Sequence, residues 1–123
     1  AYQTFLGSPV EHEGWIIKEN KRKRQQKRWF VIRGGVLCYF KSDAQGKRPK
    51  GIRVVSECEL ITRGGGAGNT DNLVLLLHAD HSELRLHLKD RKAREEWLRA
   101  LAAAVGTHDL GSGVAGKMEK PAT

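Results

Sequence analysis

Two consecutive glycines, Gly34-Gly35, separate two runs of strand-forming residues, Trp29-Phe30-Val31-Ile32 and Val36-Leu37-Cys38-Tyr39-Phe40. A two-residue hairpin turn that suits the twist of its strands needs positive φ at both central positions, which glycine adopts freely. The two runs are therefore antiparallel neighbours, and aromatic and branched side chains of this kind favour a pleated, buried surface. The same punctuation recurs along the chain. Trp15-Ile16-Ile17 precedes the apolar-free stretch 19–26, Ile52-Arg53-Val54-Val55 follows a polar loop at 41–50, and Cys58-Glu59-Leu60-Ile61-Thr62 comes next. A glycine-rich link at 64–69 leads to a sixth run at 73–77. After a polar turn at 79–82, Leu84, Leu86 and Leu88 alternate strictly with Arg85, His87 and Lys89, the period of a half-buried strand.

The period then changes. Ala93, Trp97, Leu101 and Ala104 fall on one face of a helix. Asp90 is placed to cap its start and Gly106 to end it near Val105. Glu95 and Arg99 have the i,i+4 spacing of an outer ion pair. Seven short strands followed by one amphipathic helix predict a mainly β fold, a bent antiparallel barrel or sandwich capped by a C-terminal α-helix. In a chain of 123 residues this is one domain: an irregular lead-in at 1–12, a domain at 13–106 and a disordered tail at 107–123. The three tryptophans, Trp15, Trp29 and Trp97, read as core residues. Cys38 and Cys58 read as buried free thiols.

Charge is distributed unevenly. Of a net +8, the segment 18–53 alone holds thirteen Lys and Arg against two acids, so the remainder of the chain is slightly acidic. Residues 18–28 concentrate seven cations, Lys18, Lys21, Arg22, Lys23, Arg24, Lys27 and Arg28, around the single acid Glu19. A one-sided positive field attracts polyanions. Arginine's planar fork donates paired bonds to phosphate, and lysine adds a mobile point charge. The loop carries no Phe, Leu or Trp to enter lipid tails, so any attraction to a membrane surface rests on charge and weakens with salt.

Other chemistries lack support. No apolar run approaches the roughly 20 residues of a membrane-spanning helix, and the start, Ala1-Tyr2-Gln3, does not read as a signal peptide. The glycines at 64–69 are not followed by the Lys-Ser/Thr of a phosphate-cradling loop. His78, Asp80, His81 and His87 lack the ligand set of a metal site, and no serine has a nucleophilic context. No metal, cofactor or enzymatic activity is expected. Lys21-Arg22-Lys23-Arg24 matches a nuclear import signal, but its place between two strands fits a ligand-facing loop better. Exposed stacking aromatics or a groove-reading helix, as nucleic-acid binding requires, are not anticipated.

Taken in order, Glu13-Gly14-Trp15-Ile16-Ile17-Lys18, Lys27-Arg28-Trp29-Phe30-Val31-Ile32, Leu37-Cys38-Tyr39-Phe40, Lys50-Gly51-Ile52 and Glu95-Glu96-Trp97-Leu98 resemble a pleckstrin-homology (PH) domain over roughly 13–105. The resemblance implies a seven-stranded bent barrel capped by a helix. It also implies a basic cup for inositol phosphate head groups at the loop between the first two strands. By that resemblance Lys18 and Arg28 hold phosphate, Tyr39 and Lys50 line the cup wall, and Lys21, Arg22, Lys23, Arg24 and Lys27 supply field and loop contacts. One position departs from the pattern. Gln26 stands where phosphate-binding members carry a base, which weakens the case for tight 3-phosphate selectivity and keeps phosphatidic acid beside phosphoinositides as a ligand. Lys27 replaces it only by turning inward, whereas strand alternation points Lys27 to the opposite face.

The expected role is a monomeric membrane-targeting module, peripheral on the cytoplasmic face of a membrane. The alternative is a protein-interaction domain on the same fold with little lipid binding, its peptide lying beside residues 57–62 and the helix.

Overall fold

The computed structural model describes residues 1–43, 48–63, 73–78 and 80–112. In chain order the elements are helix α1 (Tyr2–Leu6) and strands β1 (Val10–Glu19), β2 (Gln25–Arg33), β3 (Val36–Phe40) and β4 (Gly51–Val54). A single 3-10 turn (Val55–Glu57) leads to β5 (Cys58–Arg63), β6 (Leu73–His78), β7 (Glu83–His87) and helix α2 (Arg91–Ser112). All seven strands form one curled antiparallel sheet in the order β4-β3-β2-β1-β7-β6-β5. The 3-10 turn joins the two end strands, and α2 packs against that turn, β5 and β1. The expected barrel with a helical plug is therefore the observed architecture. The links expected at 64–69 and at Ala79 lie outside the described residues.

The glycine hairpin forms as its sequence requires: Gly34 and Gly35 have φ of 58° and 74°, and Arg33 pairs with Val36. The main core lies inside the curl. Ile16, Phe30, Ile32 and Leu37 of the first three strands meet Val74, Leu76, Leu84 and Leu86 of β6 and β7, and Trp97, Leu101 and Ala104 of α2 close the end. Asp90 caps α2, its Oδ2 accepting the amide of Ala93 at 2.8 Å.

Four expectations are corrected. The lead-in is not irregular. Residues 2–6 form a helical turn, and β1 begins at Val10 rather than near Glu13. Phe5 of α1 packs on the outer face of the sheet against Val31, Val36 and Cys38, flanked by Tyr2, Trp29, Phe40 and Ile52. Arg33 locks this arrangement, donating to the carbonyls of Ser8 at 2.7 Å and Leu6 at 3.0 Å with its guanidinium 5.0 Å from the Phe5 ring centroid. A strand as uniformly apolar as Trp29-Phe30-Val31-Ile32 needs cover on both faces, and α1 supplies the second cover.

Second, Trp15 and Trp29 are not core residues. They face each other across β1 and β2 on the outer surface, rings edge-to-face at 5.2 Å, and Trp15 remains 41% exposed. Ile16 and Phe30, one residue on, hold the inner phase. Of the three tryptophans only Trp97 enters the main core. Third, Gly106 does not end α2, which continues to Ser112. Tertiary packing of Trp97 and Leu101 anchors the helix, so one glycine's propensity cost of about 1 kcal/mol does not break it. Residues 113–123 lie outside the described residues. Fourth, Glu95 pairs back to Arg91, at 3.2 Å, instead of forward to Arg99.

Cys38 belongs to the outer cluster and Cys58 to the inner core. The two free thiols are thus on opposite faces of the sheet, and burial pushes the Cys38 thiol up to about 12.

Candidate functional site

The register of β1 and β2 decides which cations converge. Ile16 of the main core pairs with Arg28, and Lys18 pairs with Gln26, so Lys18, Gln26 and Arg28 share the inner phase at the open end of the curl. Lys18 is only 8% exposed. Its ammonium donates to the Gln26 amide oxygen at 3.3 Å and lies 5.2 Å from the centroid of the Tyr39 ring, within cation–π range. Burial first, then the positive charges of Arg28 and Arg53, pull the Lys18 ammonium below its ordinary value. Tyr39 is held in turn by Phe30, ring centroids 5.1 Å apart, and by Gly51, whose missing Cβ leaves the space the phenol ring occupies.

Among the described residues, no ion pair reaches Lys18, Arg28 or Arg53. Glu19, the one acid of the 18–28 segment, sits on the opposite face of β1, where Arg85 and His87 engage its two oxygens at 3.1 Å each. The strand alternation that turns Lys18 inward turns Glu19 out, and among the described residues the cup is left with cations and neutral groups.

The loop above it is built rather than loose. The side chain of Asn20 accepts the amides of Arg22 at 2.9 Å and Arg24 at 3.0 Å. Backbone bonds run from Asn20 N–H to the Arg24 carbonyl and from Lys23 N–H to the Asn20 carbonyl, with Lys23 at φ 62°. This asparagine-centred turn presents Lys21, Arg22, Lys23 and Arg24 to solvent.

A sequence profile of the PH domain matches residues 10–106. The chain belongs to the PH domain family. This PH domain is similar to pleckstrin homology domain-containing protein 1 of Arabidopsis thaliana, 27% identical over 109 residues that cover 85% of this chain and 74% of the relative. It is also similar to human Sesquipedalian-1, 26% identical over 110 residues covering 85% of this chain but 41% of that protein. Among solved structures, the C-terminal PH domain of pleckstrin in complex with D-myo-Ins(1,2,3,5,6)P5 shares the fold. Its TM-score is 0.68 at 24% identity, over 80% of this chain and 97% of the other. The PH fold is generally a non-catalytic binding module.

Within this PH domain the residues singled out by sequence separate into four places. Lys18, Arg28 and Tyr39 meet on the inner face. Lys21, Arg22, Lys23 and Arg24 form the exposed tip. Lys27 lies on the outer face, its ammonium 5.0 Å from the Trp15 ring. Lys50 is exposed at the entry to β4, its amide donating to the Tyr39 carbonyl at 2.6 Å. Two contributors were missed. Asn20 organises the tip, and an asparagine at the start of a five-residue link was the available signal. Arg53 adds its field to Lys18 and carried no signal at all. Elsewhere, His78 contacts Glu57 and Asp80, each at 3.3 Å, instead of joining His81 or His87 in a ligand set. Among the described residues no helix is long and apolar enough to cross a membrane.

Proposed function

We propose that this PH domain is a membrane-targeting module that binds the phosphorylated head group of an anionic lipid, a phosphoinositide or phosphatidic acid, in the cup of Lys18, Arg28 and Tyr39. Lys21, Arg22, Lys23 and Arg24 draw the domain to the surface, and Lys50 and Lys27 add charge from the rim and the outer face. The observation that carries the reading is Lys18, a nearly buried lysine beside Arg28 that has no carboxylate partner among the described residues. A buried cation without a counter-charge is costly, and a phosphate oxygen supplies what the fold withholds. The inositol pentakisphosphate complex of the pleckstrin C-terminal PH domain supports the same class of ligand. Each tip cation near an acidic surface contributes on the order of 1 kcal/mol. The domain acts as a monomer, peripheral on the cytoplasmic face of a membrane, without catalysis.

Liposome co-sedimentation at physiological salt tests this. Vesicles matched in total negative charge carry phosphatidylserine, phosphatidic acid, or mono-, bis- or tris-phosphorylated phosphoinositides, and a Lys18→Ala/Arg28→Ala variant runs alongside. Preference for one lipid at equal charge, lost in the variant, supports the pocket. Equal binding to all vesicles leaves only an electrostatic patch, and no binding overturns the lipid reading. A second reading then takes precedence. β5 is an end strand of the sheet, and a free strand edge beside α2 suits an added peptide strand.

A further inference from the structure

Among the described residues the exposed large apolar side chains are Leu6, Val10 and Trp15, and all three are on the outer side of the sheet. Leu6 ends α1, which packs there. Val10 pairs with Arg33, whose guanidinium reaches the end of α1. Trp15 stands against Trp29 with the two rings at 73°. Ile17, half-buried, continues the strip along β1 and pairs with Lys27. Lys27 is exposed, its ammonium 5.0 Å from the Trp15 ring. Glu13 is exposed too and has the strand phase of Trp15. None of the ion pairs among the described residues includes Lys27 or Glu13. The tryptophan corner thus has a cation without a counter-charge toward the basic tip and an acid without one toward Gly34-Gly35. The two levels are about 13 Å apart at ordinary strand rise.

We propose that the outer face of the β1–β2 hairpin is a protein-docking surface, and that its occupant is a peptide segment with one large apolar anchor seated at Trp15 and Trp29 and acidic residues on the Lys27 side of that anchor. An apolar patch rimmed by polar groups marks an interaction surface. Two indoles held edge to face are already ordered, so burying them against an anchor costs little side-chain entropy, and tryptophan is a usual centre of binding energy. Charge sets the polarity of the occupant. Lys27, with Lys21, Arg22, Lys23 and Arg24 beyond it, attracts acids at one end, and Glu13 repels them at the other. A lipid surface fits the same patch less well. Trp15 is five residues, about 17 Å of strand, from Asn20 at the base of the tip, so a bilayer touched by the tip leaves Trp15 clear of the acyl chains. Lys18 and Arg28 are on the inner face of the same two strands, so the cup stays open while the outer face is occupied. The outer surface does not depend on what the cup holds.

The test selects a displayed library of random twelve-residue peptides on the whole chain, then titrates synthetic copies of the enriched peptides by fluorescence anisotropy. The enriched sequences are expected to share one large apolar residue with two or more Asp or Glu on one side of it. Trp15→Ala is expected to weaken them at least tenfold, the scale of a lost anchor. Lys27→Glu, an exchange on the exposed surface that leaves the fold intact, is expected to weaken them as much and to bind instead a copy whose acids are replaced by lysine. Lys18→Ala is expected to change peptide affinity less than about twofold. Phosphatidylserine vesicles are titrated in parallel, and Trp15→Ala is expected to bind them as the parent does. Four results overturn the proposal: no enriched peptide, enriched peptides indifferent to Trp15→Ala, no recovery of the lysine copy by Lys27→Glu, or vesicle binding that falls in Trp15→Ala as far as peptide binding does. The last of these assigns the patch to lipid.

Discussion

Lys18 donates to Gln26 across the β1–β2 ladder at 3.3 Å, while its chain neighbour Glu19 turns to the other face and is engaged by Arg85 and His87. This split leaves an ammonium in the cup with a neutral acceptor where a carboxylate would have satisfied it. The consequence is a pH dependence of known sign. With its folded-state value below the ordinary 10.5, Lys18 holds fewer protons folded than unfolded across the alkaline range, so stability gains from this residue as pH rises toward 10.5. Below its folded-state value the charged form is carried at full cost. Lys18→Met is expected to melt higher than the parent at pH 7, with the difference narrowing toward pH 10. Paired thermal melts at the two pH values check this; a lower melting temperature at pH 7 would contradict it.

Trp97 and Trp15 are chemically identical and structurally opposite. Trp97 is 2% exposed between Phe30 and His12, whereas Trp15 is 41% exposed on the outer face. Trp97→Ala is expected to cost about 3–5 kcal/mol, as large buried aromatics do when truncated. Trp15→Ala, which loses an edge-to-face contact with Trp29 and some cover for Lys27, is expected to cost about 1 kcal/mol. Urea denaturation of both variants separates them.

Phe5→Ala opens the outer cluster. Phe5 is 3% exposed and lies over Val31, Val36 and Cys38. Its loss is expected to cost about 3 kcal/mol and to raise the rate at which Cys38 reacts with a maleimide by at least tenfold. Cys38 is fully buried in the parent, with its thiol pushed up to about 12, and reacts only through opening. Cys58, on the other face of the sheet, serves as the internal control, and its rate is expected to follow global unfolding alone.

Asn20→Ala leaves two amides of the tip without their acceptor. Because the site is exposed, water replaces much of what is lost, and the stability change is expected at about 1 kcal/mol or less. Order in the tip changes more than stability. Amide hydrogen exchange at Arg22 and Arg24 is expected to accelerate markedly while exchange at Phe30 and Ile32 does not.

The strand count, the Gly34-Gly35 hairpin, the Asp90 cap and the Trp97 face of α2 were legible in the sequence because each is a local rule with a short period. So was the outward turn of Lys27, which follows from alternation alone. The placement of Trp15 and Trp29 was not. Period two says that neighbours face opposite ways, but where both phases are apolar, as in Trp29-Phe30-Val31-Ile32, it does not say which is inner. Helix α1 escaped for a related reason. Five residues carry too little periodicity to announce a helix, and its reason for existing is the second apolar face of β2 and β3. The end of α2 was misplaced because a glycine's local cost was weighed without the packing that overrides it.

The sequence by itself determined the class of fold, the family and the concentration of cations around one hairpin, since these depend on residue type and spacing. Only the tertiary structure decided which cations act together. The curl of the sheet and the register of β1 with β2 bring Lys18 and Arg28 to one face and send Glu19 and Lys27 to the other. Charges add along a chain, but fields and desolvation act through space, and Lys18 meets Tyr39 only after the strands have paired.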